Sequence, residues 1–264
     1  MKIQFTNTFL TIFESCLYRT TSSITDLGNS ILITDPNWLP SEINFLKQWI
    51  ESHQYGKKQF ILFTHSDYDH IIGWKAFPEA KAIASEAFVQ NPDKTKILNQ
   101  IRKFDEQYYI SREYTIAYPE VDIVIDKNPQ LLMVDNTEII FFSARGHVRD
   151  GLFAVIPTLK IWIAGDYLSN IEIPMIDHDF TDYQKTLATA YEINKHQDIL
   201  YLIPGHGDVA IGKEAIQNRI DHDLHYLRML SLHANQKKVK EFVNTHYTSN
   251  PVMMKIHRSN LKKN

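Results

Sequence analysis

The chain contains little that would direct it to a membrane, a disulfide framework or a nucleic acid. Its 264 residues include a single cysteine, Cys16, so no disulfide can form within the chain. No apolar run approaches the roughly 18 residues that suggest a membrane span, and residues 1–6 lack the apolar core of a signal peptide. The formal net charge of −3 argues against a broad basic face. These absences predict a cytoplasmic protein with no membrane partner, and they argue against nucleic acid as a ligand.

Apolar residues, by contrast, make up 44% of the sequence, which is ample for the core of one large domain. No low-complexity tract, fixed-period repeat or Pro/Gly/Ser-rich linker divides the chain. We expect a single domain over residues 1–264, with a helical insertion near residues 92–112 and a helical C-terminal tail from about residue 213. Cys16 is expected to pack inside a β-type segment rather than to act as a nucleophile.

Strand-like and helix-like segments alternate along the sequence. Residues 23–27 and 30–34 are predicted to form a hairpin around Gly28-Asn29, and a helix is predicted after Pro40. Further strands are predicted at residues 59–64, 80–84 and 199–203 and near residues 130–134, 138–143, 151–157 and 160–164. Further helices are predicted from residue 181 to about 195 and from residue 213 to about 234. This alternation predicts an α/β fold.

The run from Thr64 to His70 holds the densest chemical signal in the sequence. His65, Asp67, Asp69 and His70 place two imidazoles and two carboxylates directly after an apolar, strand-like segment. Four ionisable side chains at one strand end repel or compete with one another unless a cation organises them. The run therefore predicts a metal site, and the plain alternative is a solvated polar loop.

Three later positions repeat this pattern. His147, Asp166 and His206 each follow an apolar β-type run, and each has a neighbouring glycine that lets the backbone turn sharply or approach closely. Either histidine taken alone could instead be a hydrogen-bonded structural residue. Their order and shared setting predict that four strand ends converge on one metal site.

The series of motifs resembles that of the metallo-β-lactamase-fold hydrolase superfamily, from about residue 10 to about residue 235. The matching segments are His65-Ser66-Asp67-Tyr68-Asp69-His70, Gly146-His147, Gly165-Asp166 and Gly205-His206. The resemblance implies a four-layer αβ/βα sandwich with the site along one edge of the two sheets. It also implies two metal ions, one held by His65, Asp67 and His147, the other by Asp69, His70 and His206, with Asp166 bridging both.

Asp67 departs from the family pattern, because most members have a histidine at that position. Two divalent ions with three carboxylates and one bridging hydroxide form a neutral centre, whereas the usual two carboxylates leave one positive charge. A neutral centre is a weaker Lewis acid, and oxygen donors favour harder metals. Zinc is the first expectation for both ions, and iron or manganese is the alternative that Asp67 favours. Asp67 could also weaken the first position, so that only the second binds tightly.

The resemblance implies a hydrolase in which a metal-bridging hydroxide attacks the substrate. Asp69 is the predicted catalytic residue, since it would orient the hydroxide and carry its proton. A small-molecule ester, thioester or lactone is the expected substrate, with Arg149, Tyr167 and Asn170 as candidate contacts. Arg149 could clamp a carboxylate or phosphate, or it could instead pair with Asp150.

Other interpretations stay open. One is a phosphodiesterase or nuclease of the same fold, since seven lysines and arginines make residues 237–263 basic. Another is an iron-binding redox protein related to the flavodiiron core, suggested by the acidic residue at position 67. The aromatic and aliphatic residues at helical spacing in residues 92–125 could line the substrate cleft, pack in the core or form the surface of a homodimer.

Overall fold

Two β-sheets pack face to face, and helices cover their outer faces. The computed structural model describes residues 1–248 and 250–263. Within those residues, the strands form one sheet of seven and one sheet of six. None of the helices in these ranges is both long and apolar enough to cross a membrane.

The first sheet keeps its strands in sequence order. Over the described residues its strands are β1 (Lys2–Thr6), β2 (Leu10–Glu14), β3 (Thr21–Asp26), β4 (Ser30–Thr34), β5 (Lys58–Leu62), β6 (Lys81–Ser85) and β7 (Ile123–Ile125). Neighbours from β1 to β4 are antiparallel, and neighbours from β4 to β7 are parallel. Parallel neighbours need crossover connections, which are commonly helical.

The second sheet is mostly antiparallel. In the described part of the chain it contains β8 (Gln130–Val134), β9 (Thr137–Ser143), β10 (Leu152–Ile156), β11 (Ile161–Gly165), β12 (Tyr201–Pro204) and β13 (Ala210–Ile211). β11 and β12 are parallel neighbours, so their C-terminal ends lie at the same edge of the sheet. That edge carries the glycine-containing loops picked out in the sequence.

Helices connect and cover these strands. Outside the two undescribed residues, 249 and 264, the α-helices are α1 (Pro40–His53), α2 (Tyr68–Ile71), α3 (Glu86–Val89), α4 (Lys94–Gln107), α5 (Phe180–His196), α6 (Lys213–Ser231), α7 (Gln236–His246) and α8 (Pro251–Asn260). Short 3-10 helices lie at Trp74–Ala76 and Pro157–Leu159. Helix α4 lies in the segment predicted as a helical insertion.

The alternation of side chains along the central strands separates the hydrophobic layers. Leu32 of β4 packs between the two sheets, whereas Ile31 and Ile33 pack with the helical layer that includes α1. On the other side, Leu187 of α5 and Ile220 of α6 pack against the second sheet. These layers make the four-layer αβ/βα sandwich, so the predicted fold is confirmed.

The C-terminal ends of strands from both sheets meet at one edge of the sandwich. The backbone N–H of Thr21 donates to the carbonyl of Gly205 over 2.7 Å, and the N–H of Leu152 donates to the carbonyl of Thr64 over 2.8 Å. The N–H of Gly205 in turn donates to the carbonyl of Gly165 over 2.6 Å. These bonds fix the loops after β5, β11 and β12 beside one another.

Two local expectations were wrong. Cys16 is exposed, because β2 ends at Glu14 and the chain turns before β3 begins. The helix predicted over residues 213–234 ends at Ser231, because His233 adopts a left-handed backbone conformation with φ of 46°. The tail then continues as α7 and α8.

Candidate metal centre

The structure brings all seven predicted metal-ligating side chains together at the edge where the sheets meet. Two of them, His65 and Asp67, lie between β5 and α2, and two more, Asp69 and His70, lie on α2. The other three lie in loops that follow β9, β11 and β12; they are His147, Asp166 and His206. Both sheets therefore contribute to the cluster.

His65, Asp67, His147 and Asp166 form one candidate ligand set. Nε2 of His147 lies 3.2 Å from Oδ2 of Asp67 and 3.3 Å from Oδ2 of Asp166. Nε2 of His65 lies 3.8 Å and 3.6 Å from the same two oxygens. Ligand atoms around a tetrahedral ion with bonds of about 2.1 Å are about 3.4 Å apart, so these spacings fit one metal ion.

Asp69, His70 and His206 form a second set. Oδ2 of Asp69 lies 3.6 Å from Nε2 of His70 and 3.5 Å from Nε2 of His206. The carboxylate of Asp166 reaches these histidines as well, with Oδ1 3.1 Å from His70 Nε2 and Oδ2 3.4 Å from His206 Nε2. Asp166 thus lies between the two sets, in the place of a bridging ligand.

Backbone carbonyls hold the rings of two of the histidines. Nδ1 of His147 donates to the carbonyl of Met175 over 2.9 Å, and Nδ1 of His206 donates to the carbonyl of Tyr18 over 3.0 Å. A carbonyl can only accept, so Nδ1 carries the proton and Nε2 is left free to bind a metal. Outer contacts of this kind fix the tautomer and orientation of a ligating ring.

Asp35 anchors the other two histidines, although the sequence analysis did not predict a role for it. Its Oδ2 accepts from Nδ1 of His70 over 2.9 Å and from the hydroxyl of Thr64 over 2.5 Å. That hydroxyl accepts in turn from Nδ1 of His65 over 3.0 Å. The available signal was the position of Asp35 directly after β4, which matches that of Asp166 after β11.

The atoms that face the centre include several buried ones without a hydrogen-bond partner among the described residues; they are Nε2 of His65, His70 and His147 and Oδ1 of Asp166. Each unsatisfied buried polar group costs about 1–3 kcal/mol, so a cluster of them needs an explanation. Metal binding supplies one, because imidazole nitrogens and carboxylate oxygens are common ligands of divalent ions. The donor set therefore fits divalent metal ions.

The imidazoles and carboxylates shift one another's pKa values. Burial by itself would lower the pKa of His70 and of His147, but Asp166 and other adjacent carboxylates raise both pKa values well above the usual one. Burial would raise the pKa of Asp67, but His147 and His65 bring it down to about 2. The carboxylates thus stabilise positive charge at the centre. Protons and metal ions therefore compete to bind there.

A cleft of about 660 Å³ opens beside the centre at Asp67 and Tyr68. Its walls include α4 and the loop after Met175. The side chain of Asp67 is 29% exposed, whereas that of Asp166 is 6% exposed. A molecule in the cleft would therefore approach the metal centre from the side of Asp67.

Arg149 is exposed and lines this cleft. The ion pair with Asp150 that the sequence allowed is not formed among the residues described. The carboxylate of Asp150 accepts instead from the backbone N–H of Ser66 over 3.3 Å and from the amide of Asn91 over 2.9 Å. Arg149 also borders a second cavity, of about 450 Å³, which Arg145 lines as well.

The polar atoms of Tyr167 and Asn170, the other two predicted substrate contacts, bind the protein itself. The buried hydroxyl of Tyr167 donates to the carbonyl of Ala144 over 3.1 Å and accepts from the backbone N–H of His147 over 2.9 Å. The amide of Asn170 donates to the carboxylate of Asp208 and accepts from its backbone N–H, each over 2.8 Å. In this structure both residues brace the loops of the centre.

Residues 57–206, which carry the whole series of motifs, match the family model of the metallo-beta-lactamase superfamily. The match covers more than half of the 264 residues, so the chain belongs to that superfamily. The resemblance drawn from the motifs is confirmed. No curated protein matches the chain.

Solved structures share the fold at low sequence identity. The stereoselective inverting sec-alkylsulfatase Pisa1 from Pseudomonas sp. gives a TM-score of 0.69 at 14% identity, over 86% of this chain and 41% of that one. The BLEG-1 B3 metallo-beta-lactamase gives 0.62 at 18% identity, over 81% and 97%. An archaeal metallo-beta-lactamase superfamily protein from Sulfolobus tokodaii gives 0.59 at 15%, over 98% and 97%. This chain spans about two fifths of the sulfatase, and these likenesses show the fold alone.

Proposed function

We propose that this protein is a metal-dependent hydrolase that acts on a small-molecule ester, thioester or lactone. The observation that carries the proposal is the convergence of seven metal-ligating side chains on one point beside an open cleft. A cleft of about 660 Å³ is within the range that accommodates small molecules. Hydrolysis is the commonest chemistry of the superfamily to which the chain belongs.

Two divalent ions are the proposed cofactors, with zinc first and iron or manganese as the alternative favoured by Asp67. When bound, such ions supply Lewis acidity and activate water for attack near neutral pH. His65, Asp67 and His147 would hold one ion, and Asp69, His70 and His206 the other, with Asp166 between them. The buried rings cannot turn away easily, because their Nδ1 atoms are held in place.

Asp69 is the residue that we propose to move the proton. Burial, together with the charges of Asp166 and Asp67, raises the pKa of Asp69, while His70 and His206 act in the opposite direction. A carboxyl group with a raised pKa is better suited to accept a proton from water and to return it to the leaving group. Its side chain is 12% exposed, so it is not fully shielded from solvent.

Two cationic side chains in the cleft wall, which form no ion pair among the described residues, suggest that the substrate carries an anionic group. Arg149 and Lys96 both line the cleft, and neither forms an ion pair within residues 1–248 and 250–263. Lys263, a third cation there, is paired with Asp177 over 3.1 Å. Arg149 can bind a carboxylate or phosphate through two parallel hydrogen bonds. We therefore place the anionic part of the substrate against Arg149.

The first test combines elemental analysis with activity. Purified protein should contain up to two metal ions per chain and hydrolyse members of a panel of lactones, thioesters, phosphodiesters and β-lactams. Asp166→Ala should lose metal and activity together while its circular dichroism stays native. An Asp166→Ala protein with full activity would exclude the dinuclear mechanism, and cleavage of phosphodiesters alone would replace the proposed substrate class with the nuclease or phosphodiesterase alternative.

The role of Arg149 has a matched control on the same loop. Arg149→Ala should raise KM for anionic substrates about tenfold or more, since a charge-assisted contact contributes about 1.5–3 kcal/mol, and leave neutral substrates unaffected. Arg145→Ala removes an exposed arginine that lines the second cavity but not the cleft, so it should change neither. Equal effects of the two substitutions, or equal effects on charged and neutral substrates, would contradict this assignment.

A further inference from the structure

We infer that Asn260, at the end of α8, is a positioning residue for the metal ligand His147. One peptide group, the group that joins Met175 to Ile176, separates the two side chains. The inference rests on the metal centre proposed above. It assigns the C-terminal helices a part in building that centre.

Asn260 and His147 bind opposite ends of this peptide group. The side-chain oxygen of Asn260 accepts from the backbone N–H of Ile176 over 3.1 Å. The carbonyl of Met175, which belongs to the same peptide group, accepts from Nδ1 of His147 over 2.9 Å. A trans peptide group is planar, and its N–H and C=O point in opposite directions. Fixing the N–H therefore fixes the direction of the carbonyl that holds His147.

The other end of the Asn260 side chain holds the preceding peptide group. Its Nδ2 donates to the carbonyl of Pro174 over 2.6 Å and to the hydroxyl of Tyr226 over 3.0 Å. The amide thus binds the backbone on both sides of Met175. Asn260 is 1% exposed, so water does not readily replace these bonds.

The segment that carries Met175 depends on such contacts, because it has no secondary structure of its own. Residues 173–176 belong to neither a helix nor a strand, so no ladder or helical turn orients their carbonyls. Ile173 and Ile176 are buried and anchor the segment by packing, which does not set the rotation of a peptide group. Asn260 supplies the hydrogen bonds that a neighbouring strand would otherwise supply.

Removing Asn260 should therefore weaken metal binding at the set that contains His147. Without its partner, the peptide between Met175 and Ile176 can rotate, and the hydrogen bond to Nδ1 of His147 becomes longer or is lost. The loss of an outer contact of a ligating residue typically weakens metal affinity 10–100-fold. The second set, Asp69, His70 and His206, has its own anchors and should keep its affinity.

The experiment is a zinc titration of the metal-free protein against a chromophoric chelator. Wild type should bind two zinc ions, and Asn260→Ala should bind one of them 10–100-fold more weakly. Asn250→Ala is the matched control: Asn250 caps the same helix by accepting from the N–H of Val252 over 2.9 Å. Losing that cap destabilises α8 by about 1 kcal/mol without touching the Met175 segment, so both zinc affinities should stay at the wild-type level.

A double-mutant cycle separates positioning from general loss of structure. In a His147→Ala background, Asn260→Ala should cause no further loss of zinc affinity. The role of Asn260 would be overturned by a further loss of zinc affinity in that background. It would also be overturned if Asn260→Ala kept both zinc affinities or if Asn250→Ala lost as much affinity as Asn260→Ala. If Asn260→Ala fails to fold, Asn260→Asp keeps the acceptor for Ile176, and its smaller weakening should likewise vanish in the His147→Ala background. A wild type that binds no zinc, iron or manganese would refute the metal centre itself.

Discussion

Asp67 contributes a third carboxylate to a cluster of four imidazoles, and this one side chain changes both the charge and the hardness of the donor set. Its Oδ2 lies 3.2 Å from Nε2 of His147. Because His147 and His65 lower the pKa of Asp67 to about 2, against the effect of burial, it is ionised at neutral pH. An ionised oxygen donor in place of an imidazole shifts preference toward harder ions such as manganese and iron(II).

Replacing Asp67 with histidine should reverse that preference. At equilibrium with mixed zinc and manganese, Asp67→His should take up more zinc relative to manganese than wild type, by a factor on the order of ten. Elemental analysis after equilibration measures the ratio. Asp93→His is the control, since Asp93 also lines the cleft but belongs to neither ligand set. An unchanged ratio in Asp67→His would show that Asp67 does not tune the metal.

The candidate ligands were predictable from the sequence because each carries its own chemical signature at a strand end. The groups that hold them were not. The carbonyl of Met175 has no side-chain signature, since every residue has a carbonyl. Asn260 lies 86 positions from Pro174, and nothing in the local pattern links the two. Asp35 was not predicted to take part in the site, because one carboxylate beside a proline is a common turn signal.

Among the elements, the loops after β11 and β12 require close approach of their backbones. A Cβ atom on Gly205 would lie 2.0 Å from Oδ1 of Asp166 and 3.0 Å from Cε1 of His70. Gly165 on the neighbouring loop has φ of 55°, a left-handed conformation that favours glycine. Gly205 therefore leaves the space in which the carboxylate of Asp166 lies.

Gly205→Ala should displace Asp166 and abolish binding of at least one metal ion, which the same zinc titration would measure. Gly56→Ala is a control with open space around it: no atom lies within 4 Å of its Cβ position, and its φ of 77° gives only a local strain of about 1 kcal/mol. That variant should keep two zinc ions. A Gly205→Ala protein with wild-type affinities would mean that the loops can move apart without cost.

Element types were easier to predict than element ends. The strands of the hairpin and of the second sheet follow from alternation and from apolar runs, which are local properties. The end of α6 depends on the left-handed backbone conformation of His233, which the residue type alone does not predict. The exposed position of Cys16 depends on where β2 loses its partners, which is a property of the whole sheet.

At the scale of the whole molecule, a buried carboxylate joins the C-terminal helices to the loop after β11, which carries Asp166. Asp223 of α6 accepts from the hydroxyl of Tyr247 over 2.8 Å and from the backbone N–H of Leu168 over 3.2 Å. Burial raises the pKa of Asp223 to about 7, although the hydrogen bonds from Tyr247 and Leu168 act to lower it. In the unfolded chain its pKa returns to about 3.9.

The folded protein should therefore become less stable as pH rises through the window between those two pKa values. Between about pH 4 and pH 7 the folded state holds a proton on Asp223 that the unfolded state has lost, so the contribution of Asp223 to the free energy of unfolding falls by about 4 kcal/mol across the window. Asp223→Asn should flatten that part of the profile in urea unfolding. Asp221→Asn, at a neighbouring exposed site, should leave the slope unchanged. Identical slopes in wild type and Asp223→Asn would contradict the raised pKa.

Each candidate ligand set takes side chains from both sheets: His65 and Asp67 face His147 across the edge, and Asp69 and His70 face His206. A bound ion would thus cross-link the first half of the chain to the second. A ligand that binds only the folded state stabilises it by about 2.7 kcal/mol when the free ligand concentration is a hundred times the dissociation constant. Chelation of the bound ions would then abolish metal-dependent activity and also lower the melting temperature. The two halves of the chain would separate more easily. In a metal-starved cell, such chains would become substrates for proteases.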